Sequence, residues 1–354
     1  MARIYLDHNA TTPLRPEARA AMAEAMDLVG NPSSVHAEGR AAKMALERAR
    51  AEVLSALGAD GADLVWTSGA TEAAALAMAG RGLDCAAIEH DAVLAWGNAA
   101  LAVDRGGAVT VDDPARTALQ LANSETGVVQ NLPDGLFLSD VTQGFGKRPF
   151  AFNWSGASAA IVSAHKLGGP KGIGALILRK GTDIEAQIKG GGQEQGRRAG
   201  TENLIGALGF AAAAAAAQRD LEAGRWDALA ALRDRLEALI LDAAPGTIIV
   251  GRESDRLPNT LCLLTSGWKG ETQVMQMDLA GIAVSAGSAC SSGKVRSSQV
   301  LRAMGFSDSD AGCAIRVSLG PLTTEAEIDA FARAWLTARA RWSERNRAGQ
   351  PAER

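Results

Sequence analysis

Along the first two thirds of the chain, short apolar runs alternate with longer stretches in which apolar residues recur every three or four positions. The longer stretches predict amphipathic helices, and the short runs predict buried strands. "RPEARAAMAEAMDLVG" carries Pro16 near its first turn and stops at Gly30, so it predicts a helix with both start and stop signals. "SVHAEGRAAKMALERARAEVLSALG" predicts a second helix, closed by Gly58. "ADLVWTS" then reads as a strand, "ATEAAALAMAG" as a helix and "CAAIEH" as a strand. Further strands are predicted at "GAVTV", "ALQLAN", "GLFLSDV", "AAIVSAH" and "GALILRK". This alternation predicts an α/β architecture around a mostly parallel sheet. From Asn203 to Ala243 the pattern is helical and alanine-rich, and leucines at helical spacing mark it as a long connector rather than low complexity. The last third places strands at "GTIIV", "TLCLLT" and "AIRVSLG" before a final helix, "TEAEIDAFARAWLTARARWSE", and predicts a smaller α+β domain.

Composition narrows the class. The 354 residues, 47% hydrophobic and 21% charged, suit a globular protein with a substantial core. A formal charge of -4, with no basic tract interleaved with aromatics, offers nothing for direct nucleic-acid binding. The longest apolar run, Ala207 to Ala217, is well short of the roughly 20 residues of a membrane span. The N-terminal "MARIYLDHNATTP" shows no export signal, so a cytoplasmic protein is expected. Cys85, Cys262, Cys290 and Cys313 are widely spread with no C-x-x-C pair, which argues against a zinc site and a disulfide framework. Cys85, Cys262 and Cys313 lie among apolar neighbours and are expected in the core, whereas Cys290 lies in the glycine- and serine-rich "SAGSACSSGK".

Ligands of open α/β sheets sit at the carboxyl ends of strands, so the polar residues there matter most. "IVSAHKLGGPKGIG" brings Ser163, His165 and Lys166 to such an end. "VWTSGATE" ends in Ser68 to Thr71 and opens a helix, whose free N–H groups suit a phosphate; no G-K-[ST] follows, so it is not a P-loop. "AAIEHDAV" ends in His90, and "LFLSDVTQGFG" in Asp140 with Gln143 one turn on. An aspartate at the end of a buried strand needs a cation or several donors. Pyridoxal phosphate would use the whole set: a lysine for a Schiff base, a carboxylate for the pyridinium nitrogen and a helix N-terminus for the phosphate. Lys166, Asp140 and Gly69 to Thr71 are the candidates.

The chain resembles the cysteine desulfurases of the class V aminotransferase family from "YLDHNATTPLRPEA" to "AIRVSLGPLTTEAEID". "GNPSSVH", "TSGATE", "EHDAV", "NSETGVVQ", "SDVTQGFGK", "SAHKLGGPKGIGAL", "GGGQEQGRRAGTEN", "PNT" and "SAGSACSSGK" stand in the family's order. The resemblance implies a fold-type I pyridoxal-phosphate enzyme with a large cofactor domain, residues 13–222, and a small domain from residues 1–12 and 223–354 that carries the Cys290 loop. It implies that Lys166 forms the Schiff base and that Ala70, Thr71, Ser163 and His165 hold the phosphate. His90 would stack on the ring and assist proton transfer, Asp140 would pair with the ring nitrogen, and Gln143 would bond the phenolic oxygen. Arg316 would clamp the substrate carboxylate, as a guanidinium fork allows. Cys290 would take the sulfur of L-cysteine as a persulfide, leave L-alanine, and pass the sulfur to a protein acceptor for iron–sulfur assembly or thiolation. No resident metal is implied, beyond a nascent cluster that Cys290 could ligate transiently. Thr201 would reach the phosphate bound to a second copy in a homodimer.

Two departures stand out. The family's Asn-Asn-Glu is Asn123-Ser124-Glu125 here, so Ser124, a water or Asn123 must serve the ring and substrate. The link from Gln130 to Asp140 is also too short for the helix that usually covers it. The same cofactor residues would serve a class V aminotransferase or a selenocysteine lyase, or an inactive cofactor-binding scaffold; Cys290 in its glycine- and serine-rich loop argues against the transaminase, and Lys166, Cys290 and Arg316 together argue against the scaffold.

Overall fold

The computed structural model describes residues 3–287 and 297–348. Strand β1 (Ile4–Tyr5) leads to helices α1 (Pro16–Ala25) and α2 (Ala37–Ala56). Helix α1 stops at Ala25, short of Gly30. Gly30 serves close packing instead: a Cβ there would lie 1.9 Å from the Glu38 carbonyl oxygen. His36 caps α2 by accepting the Gly39 N–H, and Gly58, at φ +57°, turns the chain out of it.

The alternating pattern then unfolds as β2 (Asp63–Thr67), α3 (Ala70–Met78), β3 (Asp84–Ala86), α4 (Asp91–Leu94) and β4 (Asn98–Leu101). After these come β5 (Ala118–Gln120), β6 (Leu138–Asp140), β7 (Ala159–Ser163) and β8 (Gly174–Leu178). "GAVTV" forms only an isolated bridge between Val109 and Val103, because the Val109 N–H is donated to Gln130 Oε1 rather than to a neighbouring strand. Residues 121–137 carry no helix, as the short link predicts.

The central sheet has the order β2-β8-β7-β6-β5. β5, β6 and β7 pair in parallel, while β8 runs antiparallel to both β7 and β2. β2, β5, β6 and β7 therefore end at one edge, with Thr67 and Ser163 opposite Gly174 and Gln120 opposite Asp140. Both faces are covered, so alternate residues of one strand enter different cores. Leu64 and Trp66 pack toward α1, α2 and the alanine-rich helix, while Val65 packs toward α3.

The long connector is two helices, α5 (Leu204–Glu222) and α6 (Arg225–Ala243), broken at Gly224 in the left-handed region. Small residues of α5 (Ala207, Ala211, Ala214) let it press onto the first core. The remainder comprises β9 (Thr247–Ile249), β10 (Thr260–Thr265), α7 (Gly270–Leu279), β11 (Ile282–Ala283), α8 (Gln299–Ala303), α9 (Asp308–Ala311), β12 (Ala314–Ser318) and α10 (Glu325–Ala348). β12, β10 and β9 form an antiparallel sheet, and β1 returns to pair in parallel with β11. A separate core gathers Leu6, Trp226, Leu236, Trp268, Phe331 and Trp335 there. Among the described residues no helix is long and apolar enough to cross a membrane.

Candidate active site

A cavity of about 630 Å³ opens where β2, β5, β6 and β7 end. It brings together Ala70, Thr71, His90, Ser124, Asp140, Gln143, Ser163, His165 and Lys166, nine of the residues singled out from the sequence. A second cavity, about 490 Å³, lies away from the strand ends against Arg50 and Glu194.

One end of the first cavity is built for an anion. Gly69 precedes α3 with no side-chain cap, so the first-turn N–H groups of the helix face the cavity side that Ala70 and Thr71 line. The turn is held from behind: the Thr67 hydroxyl donates to the Gly69 carbonyl at 2.9 Å, and the Ser68 N–H donates to Glu72 at 2.8 Å. Burial alone would raise the Glu72 pKa, but hydrogen bonds from Arg198 and Ser68 outweigh it and hold the carboxyl below its usual range. Gly174 lets β8 approach this turn, since a Cβ there would lie 2.7 Å from Gly69. Ser163 and His165 complete this end. His165 Nδ1 lies 3.2 Å from Thr11 Oγ1, and burial followed by Lys166 lowers its pKa to about 4, so the ring is neutral near pH 7.

Lys166 ends a short helical turn after β7, and its Nζ donates to the carbonyls of Asn9 and Ala10 at 2.8 and 2.9 Å. Asp140 ends β6 and accepts the Thr142 N–H at 2.9 Å. Behind it Glu89 is fully buried and accepts the Gln120 N–H at 2.8 Å. Burial pushes the Glu89 carboxyl well above its ordinary value, and the neighbouring Asp140 adds to the effect. His90 caps α4 by accepting the Ala92 N–H on Nδ1 at 3.1 Å, which assigns its proton to Nε2.

Ser124 lines the cavity, but Asn123 does not stand in for the missing asparagine. Its amide donates to the Ile88 carbonyl at 3.0 Å and accepts the N–H groups of Glu125 and Thr126 at 2.9 Å each, which pins the turn. Asn123 is 1% exposed and structural. Arg316 lies beside the cavity wall: Nη1 donates to the Ser124 carbonyl at 3.1 Å and Nη2 to Asp7 at 2.6 Å, while the buried Nε has no protein partner. Asp7 also accepts from Ser285 at 2.8 Å. Thr201 is exposed on the loop after β8 and outside this cavity. Cys290 lies outside the described residues. Cys85, Cys262 and Cys313 are all buried, and burial raises each thiol pKa, to about 12 for the first two.

Sequence reasoning missed the supports. Asn9 is fully buried and ties the site together: its carbonyl accepts from Lys166 and Gln143, its amide oxygen from Lys147 and Asn259, and its amide nitrogen donates to Thr260 and to the Ser124 carbonyl. Lys171 lines the cavity as a second lysine. The available signal was the polar "DHNATT" immediately after an apolar pair, too polar for the strand it follows.

Comparison with known proteins agrees with this geometry. The family model for aminotransferase class-V matches residues 4–331. The chain is 40% identical to a cysteine desulfurase of Cereibacter sphaeroides, covering 93% of this chain and 94% of that protein. It is 36% identical to the cysteine desulfurase NifS of Azotobacter vinelandii, covering 94% and 92%. Its fold is similar to that of a NifS-like protein from Rickettsia africae, with a TM-score of 0.87 and 31% identity over 96% of this chain and 99% of the other. The chain belongs to the class-V aminotransferase family and, within it, to the cysteine desulfurases.

Proposed function

We propose that this chain is a pyridoxal-phosphate enzyme that converts L-cysteine to L-alanine and leaves the sulfur on Cys290 as a persulfide. The observation that carries the reading is the convergence of an amine, a carboxylate and an uncapped helix N-terminus on one cavity: Lys166, Asp140 and the start of α3. That donor set fits the cofactor's aldehyde, ring nitrogen and phosphate. Pyridoxal phosphate, when bound, supplies an electron sink for the substrate's α-carbon.

The protein does the rest. Lys166 anchors the cofactor and, once displaced by substrate, removes the α-proton with its Nζ. Asp140 keeps a proton on the ring nitrogen. Neutral His165, Ser163, Thr71 and the first turn of α3 donate to the phosphate, and His90 stacks on the ring with Nε2 able to give or take a proton. Arg316, held by the Ser124 carbonyl and Asp7 beside the cavity wall, binds the substrate carboxylate. The Cys290 thiolate then attacks the substrate sulfur: the sulfur–carbon bond breaks, a sulfur–sulfur bond forms, and Cβ takes a proton to give alanine. The exposed position of Thr201 suits a homodimer in which Thr201 of one copy completes the phosphate site of the other. The persulfide sulfur passes in the cytoplasm to a protein acceptor for iron–sulfur cluster assembly or thiolation. The relatives named as cysteine desulfurases support the reaction, as does a solved structure of SspA in complex with cysteine, 25% identical over 91% of this chain.

The test is direct. Protein loaded with pyridoxal phosphate should turn L-cysteine and a thiol reductant into equal amounts of alanine and sulfide. A keto acid in place of alanine would show a transaminase. Cys290→Ser should keep the visible band and lose sulfide release, because an alcohol is a far weaker nucleophile toward sulfur than a thiolate.

A further inference from the structure

Lys147 is 1% exposed, which is costly for an ammonium group. Among the described residues it makes no ion pair, and the charged groups that act on it, Lys166 and Arg316, are cations. Burial drives its amine well below the ordinary lysine range, and Lys166 and Arg316 push the same way. Packing alone would be served better by an apolar side chain of similar size. What Lys147 does have is two acceptors, Gln143 Oε1 at 2.7 Å and Asn9 Oδ1 at 2.9 Å.

Those two contacts decide which way the Gln143 amide faces. Gln143 Nε2 donates to the Asn9 carbonyl at 2.9 Å. Turning the amide over would set its oxygen against the Asn9 carbonyl, a repulsive contact of two acceptors, and would take from the Lys147 N–H the acceptor it has in Gln143 Oε1. The network therefore admits one orientation. In it the amide oxygen is held by Lys147, and Nε2 keeps a second hydrogen at the cavity that Gln143 lines.

We infer that Lys147 is a positioning residue: it fixes the Gln143 amide so that this wall of the cavity presents a hydrogen-bond donor, and so selects an oxyanion, the cofactor's phenolic oxygen, at that place. The inference rests on the pyridoxal-phosphate reading above. Without Lys147 the Gln143 oxygen loses its buried donor and the amide can turn, facing the ring oxygen with an acceptor.

The visible band of the bound cofactor reads this contact, because its titration reports a proton shared between the lysine nitrogen and the ring oxygen. Losing the Gln143 donor makes that oxygen a better partner for the proton, so the titration midpoint rises. Pyridoxal-phosphate-loaded Lys147→Met should show a midpoint raised by about one pH unit, the size of a charge-assisted hydrogen bond. Gln143→Leu should show a similar rise, and the double variant no more than Gln143→Leu alone. If Lys147→Met does not fold, Lys147→Gln, which keeps one N–H donor in the same place, goes through the same cycle with a smaller rise. An unmoved midpoint in the Lys147 variant overturns the inference. So does a further rise in the double variant, because a merely structural lysine would act independently of Gln143. Wild-type protein that takes up no pyridoxal phosphate overturns the cofactor reading along with it, whereas a wild-type band with an unmoved variant overturns this inference alone.

Discussion

At the scale of single residues, the groups proposed to touch substrate or cofactor differ from those that hold them in place. Lys166→Ala should still bind pyridoxal phosphate through the start of α3 but lose turnover, and borohydride should no longer fix the cofactor to the chain; peptide mapping that found it on Lys171 or Lys147 in the wild type would contradict the assignment. Asp7 is the clearest support: it holds Arg316 at 2.6 Å and receives Ser285. Asp7→Asn should raise KM for cysteine about tenfold, the loss of roughly 1.4 kcal/mol of binding, with kcat changed far less. Steady-state kinetics would check it, and an unchanged KM would mean that Arg316 is oriented by Ser124 alone. The primary groups were legible in the sequence because each is a chemical type out of place at the end of an apolar run. Asp7, Asn9 and Lys147 were not, since they are tied to residues more than a hundred positions away: Asp7 to Arg316, Asn9 to Thr260, Lys147 to Asn9. Asn123 was misjudged for a related reason: nothing in "NSET" says that the amide turns back on its own backbone.

At the scale of elements, two segments carry measurable consequences for stability. The first is the stretch from Leu6 to Thr12, which leaves the small β1–β11 sheet and runs past Lys166 and His165. Burial, followed by Lys147, holds the pKa of His8 on this stretch at about 4, and His165 is held at about 4 as well. The folded protein thus excludes protons that the unfolded chain takes up below its ordinary histidine pKa of about 6.5. The stability these residues contribute is present above that pH and lost as pH falls toward 4. For His8 the loss reaches roughly 3 kcal/mol at full protonation. Cofactor-free protein should therefore melt at progressively lower temperature from pH 6.5 to pH 4, and His8→Asn should flatten the slope; an equal slope would place the effect elsewhere. The second segment is the loop of residues 190–201. Glu194 and Gln195 take φ of +49° and +57°, a conformation that costs side chains of this kind about 1–3 kcal/mol each. The loop is held there by Glu194, which is bidentate to Arg50 at 2.9 Å on both arms and accepts the Trp66 N–H at 3.0 Å. Glu194→Ala should cost about 3 kcal/mol, as loss of one member of a buried ion pair does, and denaturant unfolding would measure it. The glycines made this loop readable as a loop; the anchoring contact to α2 and β2 was not readable, because it joins residues that no local pattern relates.

For the whole molecule, the alternation of helices and strands was enough to read an α/β sheet with its ligand edge, and the order of motifs was enough to read the family. The antiparallel β8 within that sheet was beyond the pattern, because a buried strand reads the same in either direction. The central sheet and the small antiparallel sheet meet at the N-terminal stretch, where Asn9 bonds to Lys166, after β7, and to Asn259 and Thr260, at the start of β10. The site is in this sense a product of the whole chain, and the proposed reaction needs both parts in register. The most direct measurement is mass spectrometry of pyridoxal-phosphate-loaded protein mixed with one equivalent of L-cysteine. The account predicts one added sulfur atom on the peptide bearing Cys290, removable by a thiol reductant, together with one equivalent of alanine. Alanine released with the sulfur on another residue, or with Cys290 unmodified, would contradict it.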